Sequence, residues 1–113
     1  MTQFKLVALE SPFAGDVERN IRYGRACMKD CLQRGEAPFA SHLLYTQEGV
    51  LDDTIPEERS LGIEAGLAIE EKLEVTVVYT DLGISPGMEY GIQRAKMVPR
   101  PVVYRQLKGE WSL

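Results

Sequence analysis

The sequence predicts an α/β domain with a mostly parallel, Rossmann-like sheet of about four strands and helices on both faces. Three observations predict it. Short apolar runs alternate with stretches of helical period along the chain. The strongest run, Val75-Thr76-Val77-Val78-Tyr79-Thr80, is rich in β-branched residues and nearly continuous in apolar character, as a strand covered on both faces requires. Gly, Pro and Ser stand where these runs give way to helices, so the elements are punctuated in the order β-α-β-loop-α-β-α-β.

Lys5 to Glu10 is the first strand, halted by Ser11-Pro12 because proline restricts the residue before it. Val17, Ile21, Gly24, Met28 and Cys31 then recur at helical spacing to about Gln33, with Asp16 as N-cap, Glu18 near the positive end of the dipole and Gly35 as the stop. Ala37 to Ala40 is a short second strand, placed where a right-handed crossover delivers one. Ser41 to Asp53 has no sustained period and reads as an irregular loop. Thr54 and Glu57 have capping-box spacing for a second helix whose apolar face continues through Leu61, Ala65, Ala68, Ile69 and Leu73. After the Val75 strand, Met88, Gly91, Ile92 and Ala95 form the inner face of a third helix, which Pro99 and Pro101 end before a last strand, Val102 to Arg105. The tail after Leu107 has no period, and its Trp111 reads as the cover of a core edge or a subunit contact.

Residues 1–113 are enough for one shared core and are read as a single domain. With 44% hydrophobic and 27% charged residues the chain is expected to fold, and its net charge of -4 excludes a protein that grips a long nucleic-acid backbone. A small anion remains compatible with that charge, because a few backbone N–H groups and an arginine suffice to hold it. No run approaches the roughly 20 apolar residues of a membrane span, and Met1 to Glu10 lacks the basic start of a signal peptide. The expectation is a cytoplasmic protein with no membrane partner, with Cys27 and Cys31 as reduced core thiols. No metal and no cofactor are expected, since no second Cys or His cluster completes a site.

Ligands of open α/β sheets bind beyond the carboxyl ends of the strands, which singles out three loops: Ser11 to Asp16, Phe39 to Asp53 and Asp81 to Gly87. In the third, Gly83 and Gly87 permit close backbone approach, Ser85 suits an N-cap and Pro86 the first helical position. Met88 then takes the capping-box position and Glu89 falls one residue beyond it, open to a dipole or a chemical role. Asp81 leaves the best strand toward the same crevice, either as a second carboxylate or as an Asx-turn. Ser11, Pro12 and Phe13 in the first loop and His42 in the second complete the ligand-binding candidates. Glu10 borders the first loop and can assist a site. Arg19, Arg22, Arg25 and Arg59 read as solvated charges, one of which can balance a phosphate.

The segments Ser11-Pro-Phe-Ala-Gly-Asp, Pro38-Phe-Ala-Ser-His-Leu-Leu and Asp81-Leu-Gly-Ile-Ser-Pro-Gly-Met-Glu-Tyr-Gly-Ile-Gln-Arg-Ala, with Arg100-Pro-Val-Val after them, resemble the nucleoside 2-deoxyribosyltransferase-like superfamily, especially its small phage and bacterial domains. The resemblance runs from Lys5 to Tyr104. It implies a nucleoside or nucleotide as small-molecule partner and a homodimer or larger homo-oligomer. It also implies hydrolysis or transfer at the N-glycosidic bond, with Glu89 as nucleophile on the anomeric carbon and Ser85 and Gly87 as a phosphate cradle. Two positions differ from the enzymes: Glu74 stands where they carry aspartate, and Leu9-Glu10 where tyrosine is frequent. The residues therefore leave turnover and binding without turnover, as in a sensor or sequestering module, both open.

Overall fold

The structure, a computed structural model, describes residues 3–107 and Trp111. Its elements run β1 (Lys5–Glu10), α1 (Val17–Gln33), β2 (Glu36–Phe39), α2 (Ser41–Leu44), α3 (Pro56–Glu70), β3 (Val75–Tyr79), α4 (Pro86–Met97) and β4 (Val102–Arg105). The four strands form one parallel sheet in the order β2-β1-β3-β4, with Leu6 opposite Ala37, Val7 opposite Val75 and Val77 opposite Val103. The chain leaves β1 toward β2 and later returns on the other side of β1 as β3, so β1 and β3 flank a topological switch point. The α/β architecture expected from the sequence is the one observed.

Alternation along the strands assigns each face its helix. Val7, Leu9, Val75, Val77 and Tyr79 pack with Tyr23, Cys27 and Cys31 of α1, whereas Val78 packs with Met88 and Ile92 of α4 and with Val102. Tyr23, Leu9, Val7 and Val77 are essentially fully buried, each contributing about 1.5–3 kcal/mol of burial. Cys27 and Cys31 are free thiols in this core, and burial pushes the Cys31 thiol up to about 11, which keeps it protonated and inert. Trp111 packs edge-on against Tyr23 with ring centroids 4.7 Å apart and so covers the core edge; the other tail residues expected to lack a period lie outside the described residues.

Asp16 caps α1 by accepting from the Arg19 N–H at 3.1 Å, as its spacing predicts. Four details differ from expectation. Ser41–Leu44 forms a short helix inside the expected loop, stitched by Leu44 N–H to Ala40 O at 2.9 Å. The N-cap of α3 is Ile55 rather than Thr54, because Thr54 instead donates its hydroxyl to Asp52 at 2.6 Å and leaves Pro56 to open the helix. The same helix ends at Glu70 rather than Leu73, and β2 begins one residue earlier than expected, at Glu36.

Asp81 is spent on the fold. One of its oxygens accepts from the Tyr23 hydroxyl at 2.5 Å, and both accept the Leu107 N–H at 3.0 and 3.1 Å. The Asp81 N–H in turn donates to the Tyr23 oxygen at 3.0 Å. This one carboxylate ties α1 to the end of β3 and to the chain after β4. Asp81→Ala is expected to cost about 2 kcal/mol, because it orphans two donors in half-buried surroundings, and urea unfolding at neutral pH measures the loss.

Candidate functional site

A cavity of about 750 Å³ opens beyond the carboxyl end of β1. That size suits a small-molecule ligand. Its walls come from four segments far apart in sequence, Glu10 to Ala14, Ser41 to Thr46, the inner side of α3, and Ser85 to Gly91, with Leu51 and Asp53 from the loop before α3.

Glycines bring the walls together. At Gly24 of α1 an added Cβ would stand 2.7 Å from Leu43 Cδ1, so glycine lets the Leu43 side chain of α2 lie directly on α1. Gly62 and Gly66, one turn apart on α3, face Tyr45 and Ser41, and a Cβ at Gly66 would lie 2.8 Å from Ser41 Cβ. The far wall is the start of α4. Ser85 caps it by accepting the Met88 N–H at 3.2 Å, while the Ser85 N–H points at the Met88 thioether sulfur at 3.4 Å. Met88 thus completes a capping box with sulfur in place of the usual carboxylate, which is why a residue with no charge stands there.

His42 Nε2 lies 2.7 Å from Ser11 Oγ, and both line the cavity. Burial pushes the His42 imidazole down to about 4, so it is neutral at pH 7 and joins the hydroxyl as an uncharged hydrogen-bonding pair. Glu10, the residue before Ser11, also lines the cavity. Its position on the β1 pleat turns it, like Ala8, away from α1 and toward α4. There Gly91 makes room for it: a Cβ on that residue would overlap the Glu10 carboxyl, with Oε1 at 2.8 Å. Burial pushes Glu10 up to about 8; the charge of Glu70 adds to the shift and Arg100 partly offsets it. Glu70 is itself raised by burial, against the pull of Arg100 and Arg94. Arg100 holds this corner from behind the cavity, donating to Thr76 Oγ1 at 2.8 Å and to Glu70 O at 2.6 Å, with a Glu70 oxygen at 3.6 Å.

The residues singled out in the sequence divide in two. Ser11, Phe13, His42, Ser85, Gly87 and Met88 all line the cavity. Pro12 is buried beside the wall but not part of it, and Gly83 is exposed in a turn, at φ 84°, where its N–H reaches Thr80 O. Asp81 is committed to Tyr23 and Leu107, as its Asx-turn alternative foresaw in kind though not in partner. Glu89 is exposed, accepts from Gln93 Nε2 at 2.9 Å, and lies outside the cavity wall. Arg59 does line the cavity but is paired with Asp53 at 3.0 Å. Tyr45 and Glu70 were not foreseen, because α3 and α2 meet only through tertiary packing, nor was Tyr90 in the first turns of α4. Glu10, expected from the sequence to border the first loop and able to assist a site, does line the cavity.

Among the described residues no group of three or more His, Cys, Asp or Glu side chains is arranged to hold a metal ion, and no helix is long and apolar enough to cross a membrane. Among curated proteins none matches the chain. A family model does, over residues 5–105, the span of the whole sheet and every helix between its strands. The chain belongs to the family described as Domain of unknown function (DUF7768).

Proposed function

We propose that the protein binds a nucleoside or nucleotide in this cavity and holds it as a sensing or sequestering module. One observation carries the reading: a cavity of about 750 Å³ at the carboxyl end of the sheet sets the rings of Phe13, Tyr45 and Tyr90 among the hydroxyls of Ser11, Ser41 and Ser85. Aromatic faces suit a base, and hydroxyls suit the ribose and its substituents. The superfamily resemblance of the three loop segments points the same way.

Cleavage at the N-glycosidic bond is the second reading, favoured by the place of Glu89 between two wall residues, Met88 and Tyr90. It requires the Glu89 side chain to leave Gln93 and turn inward. Binding is the better supported of the two because neither of the carboxylates expected to react, Glu89 or Asp81, faces the cavity.

Thermal unfolding with a panel of nucleosides and their 5′-monophosphates tests the reading. At a ligand concentration of about 100 Kd, binding to the native state alone adds about 2.7 kcal/mol, a rise in Tm of roughly 10 °C or more for a chain of this size. Chromatography of the same mixtures is expected to return the ligand intact. Release of free base by the wild type and not by Glu89→Gln would instead establish glycosidic cleavage, and an unmoved Tm across the panel would remove the nucleoside reading altogether.

A further inference from the structure

Within the cavity, one polar group is built into the wall without a partner. Glu10 lines the cavity, and its carboxyl takes part in no hydrogen bond with the described residues. Its place is nevertheless fixed. Any side chain on Gly91 would collide with it, so α4 is seated directly on the carboxyl, and Glu70 of α3 and Arg100 after α4 are the charged groups that face it. Arg94 acts on the same corner through Glu70, and His42, on the Ser11 side of the cavity, is neutral. Arg100 offsets the shift of Glu10 only through its charge and makes no hydrogen bond to it, its Nε and Nη1 donating to Thr76 and to the Glu70 carbonyl.

We propose that Glu10 is the ligand-contacting group at the sheet end of the cavity, and that it takes an uncharged hydrogen-bond acceptor of the ligand, such as a ring nitrogen or carbonyl oxygen of a nucleoside base. This rests on the nucleoside reading of the cavity and deepens it. The chemistry follows from the surroundings. A dehydrated carboxyl beside a second carboxyl keeps its proton at pH 7, and a protonated carboxyl has an O–H to donate. A part-buried donor that lines the cavity with no protein partner is free to meet an acceptor that arrives with the ligand. A cationic ligand would demand the opposite, an ionised Glu10, and its affinity would have the opposite dependence on pH.

Titration calorimetry with adenosine and with cytidine between about pH 6 and about pH 9.5 separates these cases, because neither probe changes its own charge in that range. The wild type is expected to bind with constant affinity up to about pH 8, where Glu10 loses its proton, and to weaken beyond it toward about tenfold per pH unit. Glu10→Gln keeps an N–H donor of similar shape at every pH and is expected to bind with no such decline. Glu10→Leu removes the donor and is expected to weaken binding about tenfold or more at pH 7. Binding by wild type that strengthens with pH, or is as tight in Glu10→Leu, overturns the contact while leaving the nucleoside reading intact. Failure of both probes and of the whole nucleoside panel at every pH overturns that reading, and the contact falls with it.

Discussion

Arg100→Met is expected to destabilise the protein by about 3–5 kcal/mol at neutral pH, the largest loss for any single exchange near the cavity. The arginine side chain is only 6% exposed, and its partner Glu70 is 11% exposed, so neither charge is relieved by water once the other is gone. The substitution also strips Thr76 Oγ1 and the Glu70 carbonyl of their donors at 2.8 and 2.6 Å. Methionine fills much of the arginine volume, which confines the effect to charge and hydrogen bonding rather than to a void. Because Arg100 also lowers the pKa of Glu10, its removal is expected to drive both carboxyls further toward the protonated form. Chemical unfolding of Arg100→Met at pH 5 and at pH 8 checks this, with the larger loss expected at pH 8. A loss below about 1 kcal/mol at both pH values would show that solvent reaches the pair.

The second large effect runs in the opposite direction. Glu10→Gln is expected to stabilise the protein at pH 8 by roughly 3 kcal/mol and to change little at pH 4.5. In the unfolded chain this carboxyl ionises near 4.5, whereas in the folded chain it keeps its proton up to about 8. Between these values the native state binds more protons than the unfolded state, so stability falls as pH rises, by at most about 1.4 kcal/mol per pH unit. Below 4.5 both states are protonated and Glu10 is silent; above 8 the penalty is fully developed. Glutamine never ionises, so the variant lacks this slope. Urea midpoints of the two proteins across the range measure the difference, and parallel curves would show that Glu10 titrates normally. A wild type that retains so costly a group at the wall of its cavity is the usual pattern of a site kept for binding rather than for stability.

The fold was legible because its strongest signals are local. The β-branched run at Val75 and the Asp16-capped period of α1 name their elements with no knowledge of the partners. The Ser85-Pro86 start of α4 was equally clear. Short or overridden signals were not: a four-residue helix at Ser41 carries no measurable period, and Thr54 looked like a cap until Asp52 claimed its hydroxyl. The site divides along the same line. Ser11, His42, Ser85 and Met88 were found because backbone order alone puts strand ends and helix starts together. Asp81 was misplaced because Tyr23, its partner 58 residues away, cannot be inferred from spacing. Glu89 could have been placed by phase. Successive helical residues rotate by about 100°, and with Met88, Gly91, Ile92 and Ala95 inward, the residue after Met88 points away from that face. The pleat likewise puts Glu10 opposite to Leu9, and so onto the α4 side where the cavity forms.

The pairing of β1 with β3 has a consequence for when the cavity exists. Val7 and Val75 are neighbours in the sheet although most of the chain lies between them, and Glu10, Ser11 and the α4 start meet only after that ladder closes. Closing so long a loop is slow and all-or-none compared with forming α1 or α4. A chain in which that ladder is open is therefore expected to lack the pocket. A bound ligand is expected in turn to slow exchange of the amide hydrogens of Leu9 and Val77, buried at the centre of the sheet, in proportion to its binding free energy.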